Sequence, residues 1–205
     1  MVDQGPDVHI VIPNYNGKRF LEACLRAIER QTYPAWQVSV IDNGSSDGSC
    51  DFIEARFPQV RCIALPENRG FSAAVNAGIQ ASQADYVFLL NNDTELPDEC
   101  LAELVEAAEI QREFDFFAPK MLSFHKRTVL DGAGDGFLRG GAGYRLGTME
   151  QDSPRYGQAG PVFGACAGAV LYRKEVFARV GLFDEDFFAY LEAVSYTHLT
   201  LPTKA

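Results

Sequence analysis

Basic residues are scarce in this 205-residue chain: 18 Lys and Arg stand against 28 Asp and Glu, a net charge of -10. A general nucleic-acid binder needs a basic footprint, so that class is excluded. A single anionic small molecule is not, because a metal ion or a helix N-terminus can supply local positive charge. The five cysteines, Cys24, Cys50, Cys62, Cys100 and Cys166, are scattered and form no C-x-x-C pair. Their spacing predicts neither a disulfide framework nor a zinc site, and a reducing compartment fits best. No stretch approaches the ~20 apolar residues of a membrane span. Residues 1–7 hold no basic region followed by an apolar run, so no signal peptide is read there. The expected location is the cytoplasm. Membrane association of a longer native chain, at the inner face of the cell membrane, stays open. There is no internal repeat.

What is present is globular composition, with 47% apolar and 22% charged residues, and a regular alternation of strand and helix patterns. Val8–Pro13, Gln37–Ile41, Arg61–Leu65 and Tyr86–Leu90 read as strands, and Phe114–Ala118 as another. Lys18–Gln31, Ser49–Phe57, Phe71–Ser82 and Pro97–Gln111 read as helices, the last with Pro97 near its first turn. Continuous apolar strands alternating with helices predict an α/β fold, a mainly parallel sheet covered on both faces. Glycines at 132, 134, 136, 140, 141, 143 and 147 predict a loop-like stretch from about residue 131 to 160, of the kind that often serves as a lid. Val162–Leu171 is apolar and small, and Lys174–Val180 reads as a short helix ending at Gly181.

In such sheets ligands bind at the carboxyl ends of the strands. Three polar clusters fall there: Asn14-Tyr15-Asn16, Asp42-Asn43-Gly44 and Asn91-Asn92-Asp93. Asp42 can accept a hydrogen bond from a nucleobase N–H, or it can simply close its own turn. Asp93 can hold a divalent ion on a diphosphate, since such an ion needs only one or two protein carboxylates, with Asn91 or Asn92 lining the site. Alternatively it caps the following helix or is a turn residue. Arg69, at the start of a small-residue helix, can contact a base or phosphate or stay solvated. Asn76, in an otherwise apolar helix, is either a ligand contact or a buried hydrogen-bonding residue. The acidic and aromatic run from Phe183 to Glu192 suits a sugar-acceptor surface and suits core packing equally. His9 and His125 show no partner pattern.

Five segments, in order, resemble glycosyltransferase family 2, and most of all its rhamnosyltransferase-like branch: VHIVIPNYNG at 8–17, VIDNGSSDGS at 40–49, ENRGFSAAVNAG at 67–78, FLLNNDTEL at 88–96 and the stretch from Gly164 to Glu192. The resemblance implies a GT-A fold, a Rossmann-like sheet flanked by helices on both faces. It also implies inverting transfer of a sugar from a nucleotide-diphosphate donor, linked to uridine or deoxythymidine diphosphate, to a carbohydrate or lipid-linked acceptor in cell-surface polysaccharide or glycolipid synthesis. By position, Asp42 would bind the base, Pro13, Tyr15 and Asn16 would line the nucleotide pocket, and Arg69 would sit near base or phosphates. Asp93 would be the last residue of the metal-binding D-x-D element, written Asn91-Asn92-Asp93 here, and would hold Mg2+ or Mn2+. Gly168 and its neighbours would form the strand beside the acceptor.

The pattern departs from the family after Glu192, where an aspartate serving as general base is expected and Ala193 stands instead. Residues 1–192 are therefore read as an incomplete glycosyltransferase domain. Residues 193–205 are read as a non-native tail, because Val194–Thr203 resembles a translated sequencing adapter. Glu192 is the nearest candidate for a catalytic carboxylate. Impaired turnover is expected of such a chain. Two other functions remain, a sugar nucleotidyltransferase and a nucleotide-sugar-binding module without catalysis. The first would want a Gly-rich basic loop after the first strand, and Asn14–Arg19 has one glycine.

Overall fold

The computed structural model describes residues 5–139 and 142–188. Glu192 and the tail from 193 to 205 lie outside the described residues. In chain order the elements are β1 (Val8–Asn14), α1 (Lys18–Glu29), β2 (Trp36–Asp42), α2 (Ser49–Arg56), β3 (Arg61–Ala64), α3 (Gly70–Ala81), β4 (Tyr86–Leu90), α4 (Cys100–Ile110), β5 (Phe116–Phe117), β6 (Met121–Leu122), β7 (Leu130–Gly132), β8 (Asp135–Phe137), β9 (Gly143–Arg145), β10 (Ala169–Arg173) and α5 (Lys174–Val180).

Six strands form one sheet in the order β3-β2-β1-β4-β10-β5. β1 runs parallel to both β2 and β4, and β2 is parallel to β3. β10 is antiparallel to both β4 and β5. The fold is thus the α/β, mainly parallel sheet that the strand patterns predict. Both faces are covered, which explains why the strands are apolar throughout. Ile10, Ile12, Phe88 and Leu90 pack with Leu21, Leu25, Ile28 and Leu101 from α1 and α4 on one side. Val11, Val87 and Leu89 pack with Val75, Ile79 and Val176 from α3 and α5 on the other. Alternate residues of β1 thus feed opposite cores, as a strand's two-residue period requires.

Three expectations are corrected. Cys50 and Cys62 form a disulfide between α2 and β3, with Cα atoms 6.0 Å apart. Packing of α2 on β3 brings the two together, which linear spacing does not reveal. Residues 131–160 are not a featureless loop: β6 pairs with β7 and β8 with β9 in two small antiparallel sheets. Glycine here permits close strand approach, since a Cβ on Gly136 would lie 2.5 Å from the Tyr144 ring. Finally, α4 begins at Cys100 rather than at Pro97. The Pro97 carbonyl instead accepts from Cys100 N and from Gln31 Nε2.

Candidate functional site

The sheet order reverses direction between β1 and β4, a topological switch point where open α/β sheets leave a crevice outside the strand ends. β1, β2 and β4 are parallel, so the three polar clusters emerge on the same edge. Because β10 is antiparallel, its starting end arrives there as well, and Asn91 N donates to Gly168 O at 2.9 Å.

Asn14 organises this edge. It is 2% exposed, and its Nδ2 donates to Asp42 Oδ1 at 2.9 Å. Its Oδ1 accepts from Asn92 Nδ2 at 2.7 Å. One amide thus ties β2 to the segment after β4 across the switch point. Asp42, 5% exposed, also accepts from Ser45 N through Oδ2 at 3.1 Å. Both of its oxygens are engaged, and Asp42 does close its own turn; the turn-closing role leaves each oxygen with further lone-pair capacity. Asn16, with a φ of 49°, accepts from Ser46 N through Oδ1 at 2.9 Å, and its own N donates to Ser45 Oγ at 2.8 Å. Left-handed backbone suits Asn better than most residues. Tyr15, 52% exposed, stands beside it, with Pro13 half-buried. Gly17 has to be glycine: a Cβ would lie 2.1 Å from Asn92 Nδ2 and 2.6 Å from Asn14 Oδ1.

A cleft of about 820 Å³ opens beside this ledge. Asn91 and Asp93 line it, with Leu96, Met121, Tyr144, Arg145 and Gly168 among the other walls. Asp93 is exposed, and its carboxylate has no hydrogen-bond or salt-bridge partner among the described residues. Those residues hold no group of three or more His, Cys, Asp or Glu able to bind a metal alone. One uncommitted carboxylate flanked by two amides fits a hard divalent ion that takes its remaining ligands from phosphate oxygens and water. It does not fit zinc, which wants a complete nitrogen or sulfur set.

Two expected ligand contacts have partners within the protein. The Arg69 guanidinium pairs with Glu185 at 3.0 Å on the exposed surface. The donors at the start of α3 are also occupied: Arg69 N bonds Asn43 Oδ1, Gly70 N bonds Asn68 Oδ1 and Phe71 N bonds Phe188 O. An anion would have to displace these bonds to use that helix start. Asn76 is buried, where its Oδ1 accepts from Phe183 N at 3.0 Å and its Nδ2 donates to Phe183 O at 2.8 Å. Its amide pins the chain after α5 to α3, the structural one of its two roles. Together with Ser72 Oγ, which donates to Phe187 O at 2.9 Å, it shows that the 183–188 aromatics serve packing at least in part: Phe183 is 2% exposed.

Residues that the sequence did not single out complete the cleft. Arg145 donates to Asp131 Oδ2 at 2.8 Å and to Cys166 Sγ at 2.7 Å, and lies 3.6 Å from Asp135 Oδ1. Burial pushes the Asp135 carboxyl above its usual range, against the pull of Arg145. Burial likewise raises the Cys166 thiol. These residues are 4 to 35 positions apart in sequence, and no local motif joins them. For Asn14 a signal did exist, a polar residue closing an apolar strand.

The sequence profile of Glycosyl transferase family 2 matches residues 9–181. The undecaprenyl-phosphate 4-deoxy-4-formamido-L-arabinose transferase of Pectobacterium carotovorum is 34% identical over 115 residues, 53% of this chain and 35% of that protein. Among solved structures, residues 1–349 of S. aureus TarS in complex with UDP superpose with a TM-score of 0.67 at 16% identity, over 93% of this chain and 54% of that one. The mannosyltransferase PcManGT of Pyrobaculum calidifontis, in complex with GDP-Man and Mn2+, gives 0.60 at 20% identity, over 89% and 50%. The chain spans less than half the length of the curated relatives it matches. The fold is that of GT-A glycosyltransferases, and the profile match over most of its length establishes that the chain belongs to glycosyl transferase family 2.

Proposed function

We propose that this chain carries the donor half of an inverting glycosyltransferase, which moves a sugar from a nucleotide diphosphate to an acceptor hydroxyl in polysaccharide or glycolipid synthesis. The observation that carries the reading is the placement of the Asp93 carboxylate, uncommitted among the described residues, in the wall of the cleft, beside a ledge braced by Asn14, Asp42 and Asn92. The nucleotide lies along that ledge. Asp42 accepts from the base through its remaining lone pairs, and Tyr15 offers an exposed ring beside it. A UDP- or dTDP-linked sugar is the proposed donor. The TarS complex with UDP and the PcManGT complex with GDP-Man and Mn2+ support nucleotide binding by the same fold.

Asp93 would hold Mg2+ or Mn2+, with Asn91 and Asn92 beside it, and the ion would supply charge neutralisation to the departing diphosphate. The chain's own contribution is rigidity: Asn14 fixes Asn92, and Gly168 fixes the Asn91 backbone, so the carboxylate is preorganised. A carboxylate in the segment after residue 188 takes the proton of the acceptor hydroxyl, and Glu192 is the nearest candidate. The acceptor is a carbohydrate or lipid-linked glycan. The undecaprenyl-phosphate enzyme among the relatives supports the lipid-linked form. No helix among the described residues is long and apolar enough to cross a membrane.

Titration calorimetry of UDP, dTDP and GDP with and without Mn2+ tests this reading. Mn2+ is expected to tighten at least one nucleotide about tenfold, worth about 1.4 kcal/mol, and Asp93→Asn is expected to remove that gain. Nucleotide affinity that ignores both the metal and the substitution would contradict it. Pyrophosphate release from a nucleoside triphosphate and a sugar phosphate would instead favour a nucleotidyltransferase.

A further inference from the structure

The turn between β6 and β7 carries a surface that the donor site does not use. Ser123 N donates to Val129 O at 2.8 Å and Lys126 N to Ser123 O at 3.2 Å, which folds residues 123–129 into a tight tip. Every residue from Phe124 to Thr128 is exposed. Phe124 is 51% exposed, and Leu122, on the strand leading into the tip, is 37% exposed. One exposed phenylalanine is ordinary by itself. Here its neighbours give it a setting: the Arg127 guanidinium lies 5.0 Å from its ring centroid, and the His125 ring meets it edge-on at 5.4 Å. No Asp or Glu stands between Asp115 and Asp131, a span that holds Lys120, Lys126 and Arg127 in a chain of net charge -10. Acids reach this span from elsewhere, Asp152 pairing with Lys120 at 2.9 Å and Glu95 with Arg127 at 2.6 Å. The cationic excess is therefore one. Lys126 carries it, with no side-chain hydrogen bond or ion pair among the described residues.

We infer that this tip docks the protein on an anionic lipid bilayer, with the Phe124 ring and Leu122 entering the interface and Lys126 among the headgroup phosphates. Apolar side chains beside cations suit that boundary, because it offers acyl chains on one side and anionic, hydrated groups on the other. The Arg127–Glu95 pair is exposed on both sides. Such a pair contributes little, so Arg127 can exchange Glu95 for a lipid phosphate at small cost. A bilayer accepts a projecting ring without a shaped pocket, whereas a folded protein partner would need one. The rest of the chain carries the negative excess and is repelled by the same surface, so the tip also sets the orientation of the molecule. Phe124 and Arg127 line the cleft as well, and docking therefore turns that side of the cleft toward the headgroups. The purpose this serves, meeting a lipid-linked acceptor that stays in its bilayer, rests on the glycosyl-transfer reading; the docking itself does not.

The test is co-sedimentation of the whole chain with vesicles of phosphatidylglycerol and phosphatidylcholine in equal parts, and with vesicles of phosphatidylcholine alone. Binding to the anionic vesicles is expected to be about fivefold tighter, the scale of one cation at an anionic surface. Phe124→Ser should weaken it about tenfold, the scale of withdrawing one ring from an apolar phase. Lys126→Ala should weaken it about fivefold. Phe124→Trp should keep the binding and shift its emission to the blue on the vesicles, whereas the parent, whose single tryptophan is Trp36 in β2, should not. Urea midpoints equal to the parent's would show that these exposed positions leave the fold intact. UDP affinity without vesicles, read by calorimetry, should be unchanged in all three variants. The inference is overturned if the parent ignores the anionic vesicles, if Phe124→Ser binds them as the parent does, or if Phe124→Trp binds with no shift in emission. Vesicle binding without UDP binding in the parent would instead count against the donor reading alone.

Discussion

Asn14 and Asp42, 28 residues apart, meet at 2.9 Å at the buried ends of two parallel strands. The same Asn14 side chain reaches Asn92 at 2.7 Å. One amide group therefore sets the spacing between the proposed base-binding carboxylate and the segment that carries the proposed metal ligand.

Asn14→Ala should strip partners from Asp42 and Asn92 at once. Leaving buried polar groups unpaired costs about 1–3 kcal/mol, so the urea midpoint should fall accordingly. Nucleotide affinity should fall further than the fraction of unfolded protein explains. Equilibrium urea denaturation paired with calorimetric titration of UDP checks both parts. Unchanged UDP affinity in a destabilised but folded variant would show that the amide braces the fold without shaping the site.

Asn76→Ala should release the chain after α5 from α3. The amide makes two bonds to the Phe183 backbone, and the substitution leaves Phe183 N and O without them. A loss of about 1–3 kcal/mol is expected, together with faster amide exchange at 183 and at Phe71, whose N–H donates to Phe188 O. Hydrogen exchange read by mass spectrometry would localise the effect. Arg69→Ala, by contrast, removes an exposed ion pair and should cost at most about 1 kcal/mol.

Acid should weaken the fold through His9. This residue of β1 is 2% exposed, with Nε2 paired to Ser39 Oγ at 2.9 Å and Nδ1 without a partner. Burial, reinforced by Arg61 and Lys174, lowers its pKa from 6.5 to about 4. The unfolded chain therefore binds the proton first. The stabilisation is complete above about pH 6.5 and is lost as pH falls through about 4, by about 3 kcal/mol in all. Chemical denaturation at pH 7 and pH 4.5 should show the decline. In His9→Gln the component of the decline between those values should be missing.

Much of the architecture was legible in the chain. Val8–Asn14, Trp36–Asp42 and Tyr86–Leu90 are apolar runs of strand length separated by amphipathic or small-residue helices, and the sheet follows from that alternation. The placement of polar clusters at strand ends was legible too, because parallel strands must send their carboxyl ends to one edge. The hairpins in 131–160 were hidden, since glycine is read as looseness and serves here to let strands and a tyrosine ring approach. The Cys50–Cys62 bond was hidden because it depends on how α2 packs on β3.

The sequence by itself therefore determined the element order, the doubly covered sheet and the family, all of which rest on local periodicity and on ordered short motifs. Tertiary structure alone decided how the candidate residues divide. Asp42 spends both oxygens on Asn14 and Ser45, Asn76 turns to Phe183 and Arg69 to Glu185, while Asp93 keeps its carboxylate uncommitted among the described residues. It also gathered Asp131, Asp135, Arg145 and Cys166 into one cleft. The physical reason is that a polar side chain's role is set by the partners within hydrogen-bond reach, and those partners come from strands and turns far away in the chain.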